Sequence, residues 1–243
     1  MATISTKPFT PTPFNPPAVL PLEDGDHMTA EELICRWEAL PEEWREKHKR
    51  VELINGVVRM SPIGGSYHAE PHFNFMTFLG VYSWATPGVL GFAPASIILD
   101  PRQMPEPDAS LAIDPKYGGR VKMNEKGYVI GAPELVVEVS SSSVKDDLST
   151  KKELYRKFDV REYVVWRVNE PAIDWFKRQG DEFEPLLPID GIYKSESFPG
   201  LWLAAAALIA GDFAQVNAVL QKGLASPEHR DFVARLQNTT PVE

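Results

Sequence analysis

Residues 133–143 read PELVVEVSSSS, with three valines and a leucine packed around Glu138 and four serines directly after. The apolar residues mark a buried strand. A carboxylate inside such a strand costs several kcal/mol unless something pairs with it. Glu138 therefore needs a partner, and three other stretches offer one.

Upstream, PEPD (105–108) puts Asp108 at the Pro-bounded start of a strand. Downstream, KDDLSTKKELY (145–155) reads as helix. Its Asp147, Lys151 and Tyr155 stand at i, i+4 and i+8 and so share one face. Near the start, VELINGV (51–57) carries Glu52 into a hairpin. Taken singly, each has a structural reading: a turn-forming Asp, an edge-strand Glu, a surface ion pair, a solvent-facing strand residue. Taken together they read differently. Asp108 and Glu138 on neighbouring strands make a hard-oxygen site for Mg²⁺ or Mn²⁺, which the backbone carbonyl of Val139 could complete. Mg²⁺ keeps several waters, one of which can be the nucleophile. Lys151 can orient that water and offset charge in a phosphorane-like transition state. This is a minimal set for phosphodiester hydrolysis, and it explains how Glu138 stays ionised among valines.

The rest of the chain frames this strand. Residues 28–50 predict a helix N-capped by Thr29, with Glu32 completing a capping box and Pro41 splitting off a second helix. Asn55-Gly56 predicts a type I′ hairpin. A helix is expected from about Pro71 to Pro87-Gly88, then strands over 89–100 and 106–114, and a polar surface excursion over 115–133. After the 143–160 helix come strands over 161–169, 172–180 and 182–189, with the chain from Pro199 to Leu236 helical. The order predicts an α/β (α+β) fold, a central mixed sheet flanked by helices.

At 243 residues, 43% hydrophobic and 24% charged, the chain suits one folded domain with appendages. Its single cysteine, Cys35, allows neither an internal disulfide nor a Cys-based zinc site, which points to a reducing, cytoplasmic setting. No apolar run reaches the ~20 residues of a membrane span, and no membrane association is expected. Prolines fill residues 1–27 where a signal peptide would be apolar, so an extended or disordered arm is expected there. The net charge of −9 argues against strong non-specific nucleic-acid binding. Residues 145–161, with six Lys or Arg against four Asp or Glu, could still form a local phosphate-facing surface or an ordinary solvated helix face.

The PD of 107–108 followed by a Glu in a hydrophobic strand resembles the PD-(D/E)XK nuclease superfamily. The longer pattern, MTAEEL, VELINGVVRMSP, a histidine, PEPDASL, then GAPELVVEVSSSSVKDDLSTKKELYRKFDVREYVVW, resembles the Uma-two family of restriction endonucleases over about 28–178. The resemblance implies a restriction-endonuclease-like core over 28–190, after the N-terminal arm and before a C-terminal helical extension over 191–243. It implies that Asp108 and Glu138 bind the metal. It implies a catalytic lysine taken from the following helix, Lys151, because Ser140 stands two after the Glu where the superfamily has its lysine. It matches Glu52 to the acid of the first hairpin and His68 to the histidine after it, with Asp147 and Tyr155 in supporting positions. Ala69 and the serine run depart from the family pattern, the first at a supporting polar contact and the second at a turn proline.

The function expected is a Mg²⁺- or Mn²⁺-dependent endonuclease acting on DNA, with a homodimer expected because double-strand cutting needs two sites. The alternative is a nuclease fold kept as a catalytically silent binding module. A third reading, a zinc hydrolase on His68 and His72, lacks a third ligand.

Overall fold

The computed structural model describes residues 20–48, 50–61 and 66–239, with the side chains of residues 66–68 also outside the description. Most of the arm expected over 1–27 lies outside these residues. Its described end runs along the first hairpin, where Gly25 N–H donates to Val58 O and Leu22 is buried.

Helix α1 (Ala30–Ala39) carries the expected capping box: Thr29 Oγ1 accepts from the Glu32 N–H while the Glu32 carboxylate accepts from the Thr29 N–H. Pro41 caps the short α2 (Glu42–Lys47). Strands β1 (Val51–Ile54) and β2 (Val57–Met60) form the hairpin. Its turn residues Asn55 and Gly56 have φ of 56° and 78°, the two positive values a type I′ turn requires. Helix α3 (Ser66–Ala85) starts earlier than the sequence predicts, with Pro71 inside it. The helix forgoes one backbone hydrogen bond at Pro71 and does not begin there.

Strands β3 (Val89–Phe92), β4 (Ile97–Ile98) and β5 (Ala109–Ile113) follow. The excursion read as polar surface instead folds back as β6 (Lys122–Met123) and β7 (Val129–Ile130). These join β4 in a small three-stranded sheet, with Val121 and Val129 buried under it. Strand β8 (Leu135–Ser140) holds PELVVEVSS's apolar centre, and all six of its residues are buried. A helical crossover follows: α4 (Val144–Asp146), a π-helical turn (Asp147–Lys151) and α5 (Lys152–Lys157). Strands β9 (Glu162–Arg167), β10 (Ala172–Gln179) and β11 (Glu182–Pro185) complete the main sheet. The tail expected to be helical first makes a hairpin, β12 (Ile192–Lys194) with β13 (Trp202–Ala204). Only then come α6 (Ala205–Ile209), α7 (Phe213–Leu224) and α8 (Pro227–Gln237).

The main sheet has the order β11-β10-β9-β8-β5-β3, antiparallel except for the parallel β8–β9 pair. That parallel pair demands a crossover, and the crossover is the helix bearing Lys151. Alternation along β8 assigns its faces. Leu135, Val137 and Val139 pack with Phe75, Phe78 and Leu79 of α3 and with α7 and α8. Val136 packs with Tyr155, Tyr163 and Val165 on the other face. Glu138, two residues from Val136, shares that second face.

Candidate active site

Four strand and helix ends converge at the C-terminal end of β8. Asp108 immediately precedes β5, whose Ala109 lies opposite Val137. Val139 has therefore run past the end of its antiparallel partner, and its N–H donates to Asp108 Oδ2 at 2.7 Å. The Val139 carbonyl lies on the same strand edge. The residue it would face there, Pro107, has no N–H to give.

Glu138 projects from the other face of β8, under the crossover helix. Lys151 Nζ donates to Glu138 Oε1 at 3.1 Å, and Tyr155 Oη donates to the same oxygen at 3.1 Å. Lys151 Nζ also meets Glu52 Oε1 at 2.9 Å and stands 4.0 Å from Asp147 Oδ1. The spacing read as one helix face is real, and a π turn carries it: both Asp147 and Lys151 are buried against the sheet. Ser143 Oγ donates to Asp147 Oδ2 at 2.6 Å, and Tyr163 Oη donates to the Asp147 carbonyl at 3.0 Å. Glu52 reaches the cluster because Leu53 and Met104 exchange backbone hydrogen bonds, which dock the hairpin onto the segment before β5. Glu52 Oε1 also accepts the Glu106 N–H at 2.8 Å.

The structure thus brings together Glu52, Asp108, Glu138, Asp147, Lys151, Tyr155 and Val139. The side chain of His68 lies outside the described residues. His72 Nε2 sits 3.0 Å from the Asp108 carbonyl. The basic helix face is thinner than its sequence suggests: Lys151 turns inward, Arg156 pairs with Glu153, and Lys152 lies over the Phe176 ring.

The sequence reading missed one participant. Arg50 Nη1 pairs with Asp108 Oδ1 at 2.9 Å, and its Nη2 lies 3.8 Å from Glu138 Oε2 and donates to the Glu106 carbonyl at 3.0 Å. The only signal for it was its place two residues before Glu52.

Four buried carboxylates, Glu52, Asp108, Glu138 and Asp147, thus face two cations, Arg50 and Lys151. Burial pushes the Glu138 carboxyl up to about 8, against the pull of Lys151 and with the push of its acidic neighbours. Burial likewise raises Asp147, and it carries Glu106, beside the cluster, up to about 7. Burial alone would lower Lys151, but Glu138, Glu52 and Asp147 more than reverse it, so its ammonium stays charged. Excess negative charge in a buried space suits a divalent cation. Among the described residues, no three His, Cys, Asp or Glu side chains are disposed to hold a metal ion by themselves. The available donor set is two carboxylates and a strand-edge carbonyl, with the remaining positions for water, as Mg²⁺ favours.

Residues 32–206 match the family model described as "Uma2: Putative restriction endonuclease". Among solved structures, the chain is similar to the "Crystal structure of a putative nuclease belonging to DUF820 from Anabaena variabilis". The two share 16% identity and a TM-score of 0.50, over 77% of this chain and 98% of that one. No curated protein matches the chain. The fold is a restriction-endonuclease-like α/β core. No helix among the described residues is long and apolar enough to cross a membrane.

Proposed function

The chain belongs to the Uma2 family, and from that premise we propose that it is a metal-dependent endonuclease hydrolysing DNA phosphodiester bonds with water. The observation that carries this reading is the convergence of Glu52, Glu138 and Asp147 on the buried ammonium of Lys151, with Asp108 held at the end of the same strand by the Val139 N–H. Asp108, Glu138 and the Val139 carbonyl would hold Mg²⁺ or Mn²⁺, the PD-(D/E)XK arrangement. The bound cation supplies positive charge at the scissile phosphate and lowers the pKa of water in its shell.

The chain's own groups do the rest. Lys151 gives two of its three N–H donors to Glu52 and Glu138 and keeps one for the attacking water or a phosphate oxygen. Glu52 Oε1 fixes the ammonium at 2.9 Å, alongside Glu138. Tyr155 holds Glu138 Oε1 in one rotamer, and Asp147, anchored by Ser143, backs the lysine. His68 takes a supporting role at the start of α3. Double-strand cutting calls for two such sites, and we propose a homodimer. The outer face of α3 suits it, since residues 71–85 contain no Asp, Glu, Lys or Arg while Phe73 and Trp84 stand exposed.

The test is incubation of plasmid, single-stranded DNA and RNA with Mg²⁺, Mn²⁺ or EDTA. Cutting of DNA with metal and none in EDTA is expected. Cutting that persists in EDTA contradicts the metal. No cutting of any nucleic acid by the folded protein favours a silent binding module on the same fold.

A further inference from the structure

Of the six charged side chains in the cluster, five are closed off from solvent. Asp108, Glu138, Glu52, Asp147 and Lys151 expose 2–7% of their side chains, and Arg50 exposes 27%. Arg50 is therefore the one member through which the acids communicate with solvent. Its backbone is fixed, its carbonyl accepting the Ser61 N–H and the next residue opening β1. Its guanidinium is held less completely. Nη1 makes a close pair with Asp108, Nη2 is split between the Glu106 carbonyl and a longer contact with Glu138, and the buried Nε has no hydrogen-bond partner among the described residues. It thus spans the two carboxylates assigned to the metal, from the solvent side. Its fork geometry also matches a phosphate.

We infer that Arg50 is an exchangeable counter-ion: it neutralises Asp108 and Glu138 until a divalent cation takes them over, and the released guanidinium then positions a phosphate of the incoming strand. The inference rests on the proposed nuclease reading and assigns a positioning residue to it. It gives the metal-free protein a counter-charge beside two buried carboxylates. It also ties metal loading to substrate capture, because the group displaced by the metal is the one left to grip the DNA backbone. A guanidinium that serves only as a structural clip would give the opposite metal response, since losing a clip loosens the ligands and weakens the metal.

The test uses Mn²⁺ titration followed by calorimetry, and anisotropy of a labelled DNA duplex in Ca²⁺, on wild type, Arg50→Gln and Arg50→Lys. Arg50→Gln should bind Mn²⁺ about tenfold more tightly, equivalent to about 1.4 kcal/mol. It should bind the duplex about tenfold more weakly, with a log–log salt slope lower by about one. Arg50→Lys keeps the charge without the fork; it should shift Mn²⁺ affinity the same way by less, and it carries the test if Arg50→Gln does not fold. Wild type that binds Mn²⁺ beside variants of equal or weaker Mn²⁺ affinity overturns the exchange while leaving the nuclease reading intact. Wild type that binds no Mn²⁺ overturns both.

Discussion

Replacing Lys151 by Met removes the one ammonium that three buried carboxylates share. Its Nζ lies 2.9 Å from Glu52, 3.1 Å from Glu138 and 4.0 Å from Asp147, and 7% of the side chain is exposed. Breaking a buried ion pair by deleting one partner costs about 3–5 kcal/mol, because the other charge stays buried and uncompensated. Methionine nearly fills the lysine volume, so cavity formation adds little. At about 2–4 °C per kcal/mol for a chain of this size, the melting temperature at pH 8 should fall by roughly 6–20 °C. The loss has a pH signature. Without Lys151 the carboxyls are more readily protonated, and protonation removes the repulsion, so the deficit should shrink as pH falls from 8 to 5. Thermal unfolding followed by circular dichroism at pH 8, 6.5 and 5 measures this. A variant as stable as wild type at pH 8, or a deficit independent of pH, would refute the placement of Lys151 as the cluster's neutralising charge.

Four further outcomes follow. Because burial holds the Glu138 carboxyl well above its ordinary 4.5 in the fold, the metal-free protein gains stability by protonation. That stability is full below about pH 4.5 and is lost as pH rises toward 8, and Mn²⁺ should flatten the decline; a metal-free melting temperature that rises from pH 5 to 8 contradicts this. Tyr155→Phe deletes the hydrogen bond to Glu138 at about 0.5–1.5 kcal/mol, the range for a typical hydrogen bond, and should lower DNA cleavage while leaving duplex affinity in Ca²⁺ unchanged. Glu162→Gln should destabilise without changing Mn²⁺ affinity, since this buried carboxylate serves the fold: it accepts from Trp175 Nε1, Ser195 Oγ and the N–H groups of Glu196 and Ser197. Trp84→Asp should convert a dimer to a monomer in light scattering, and a monomeric wild type at tens of micromolar would remove α3 as an interface.

What could be read from the sequence follows from how local the signal was. Asn55-Gly56 specifies its own backbone angles, and the Thr29–Glu32 box closes within one turn, so both were legible without tertiary context. Glu138 stood out because a charge inside an apolar strand violates burial. Glu162, on the adjacent strand β9, is equally buried, yet its partners come from residues 175 and 195–197 and leave no local mark. Strands β6 and β7 are two residues each, too short to show a period, and their pairing with β4 is a tertiary fact. Strand β13 runs directly into α6 through alanines that favour helix, so the segment reads as helix throughout. Arg50 was hidden for a related reason: a basic residue before a strand is ordinary on the surface, and only the docking of the hairpin onto the segment before β5 turns it toward Asp108.

The most direct test of the account is cleavage of supercoiled plasmid by wild type and Glu138→Ala in Mn²⁺, with both proteins confirmed folded by circular dichroism. Metal-dependent nicking by wild type that falls at least a hundredfold in the variant is predicted. Equal nicking by the two proteins would contradict the account, because it would place the chemistry away from the carboxylate in the buried strand.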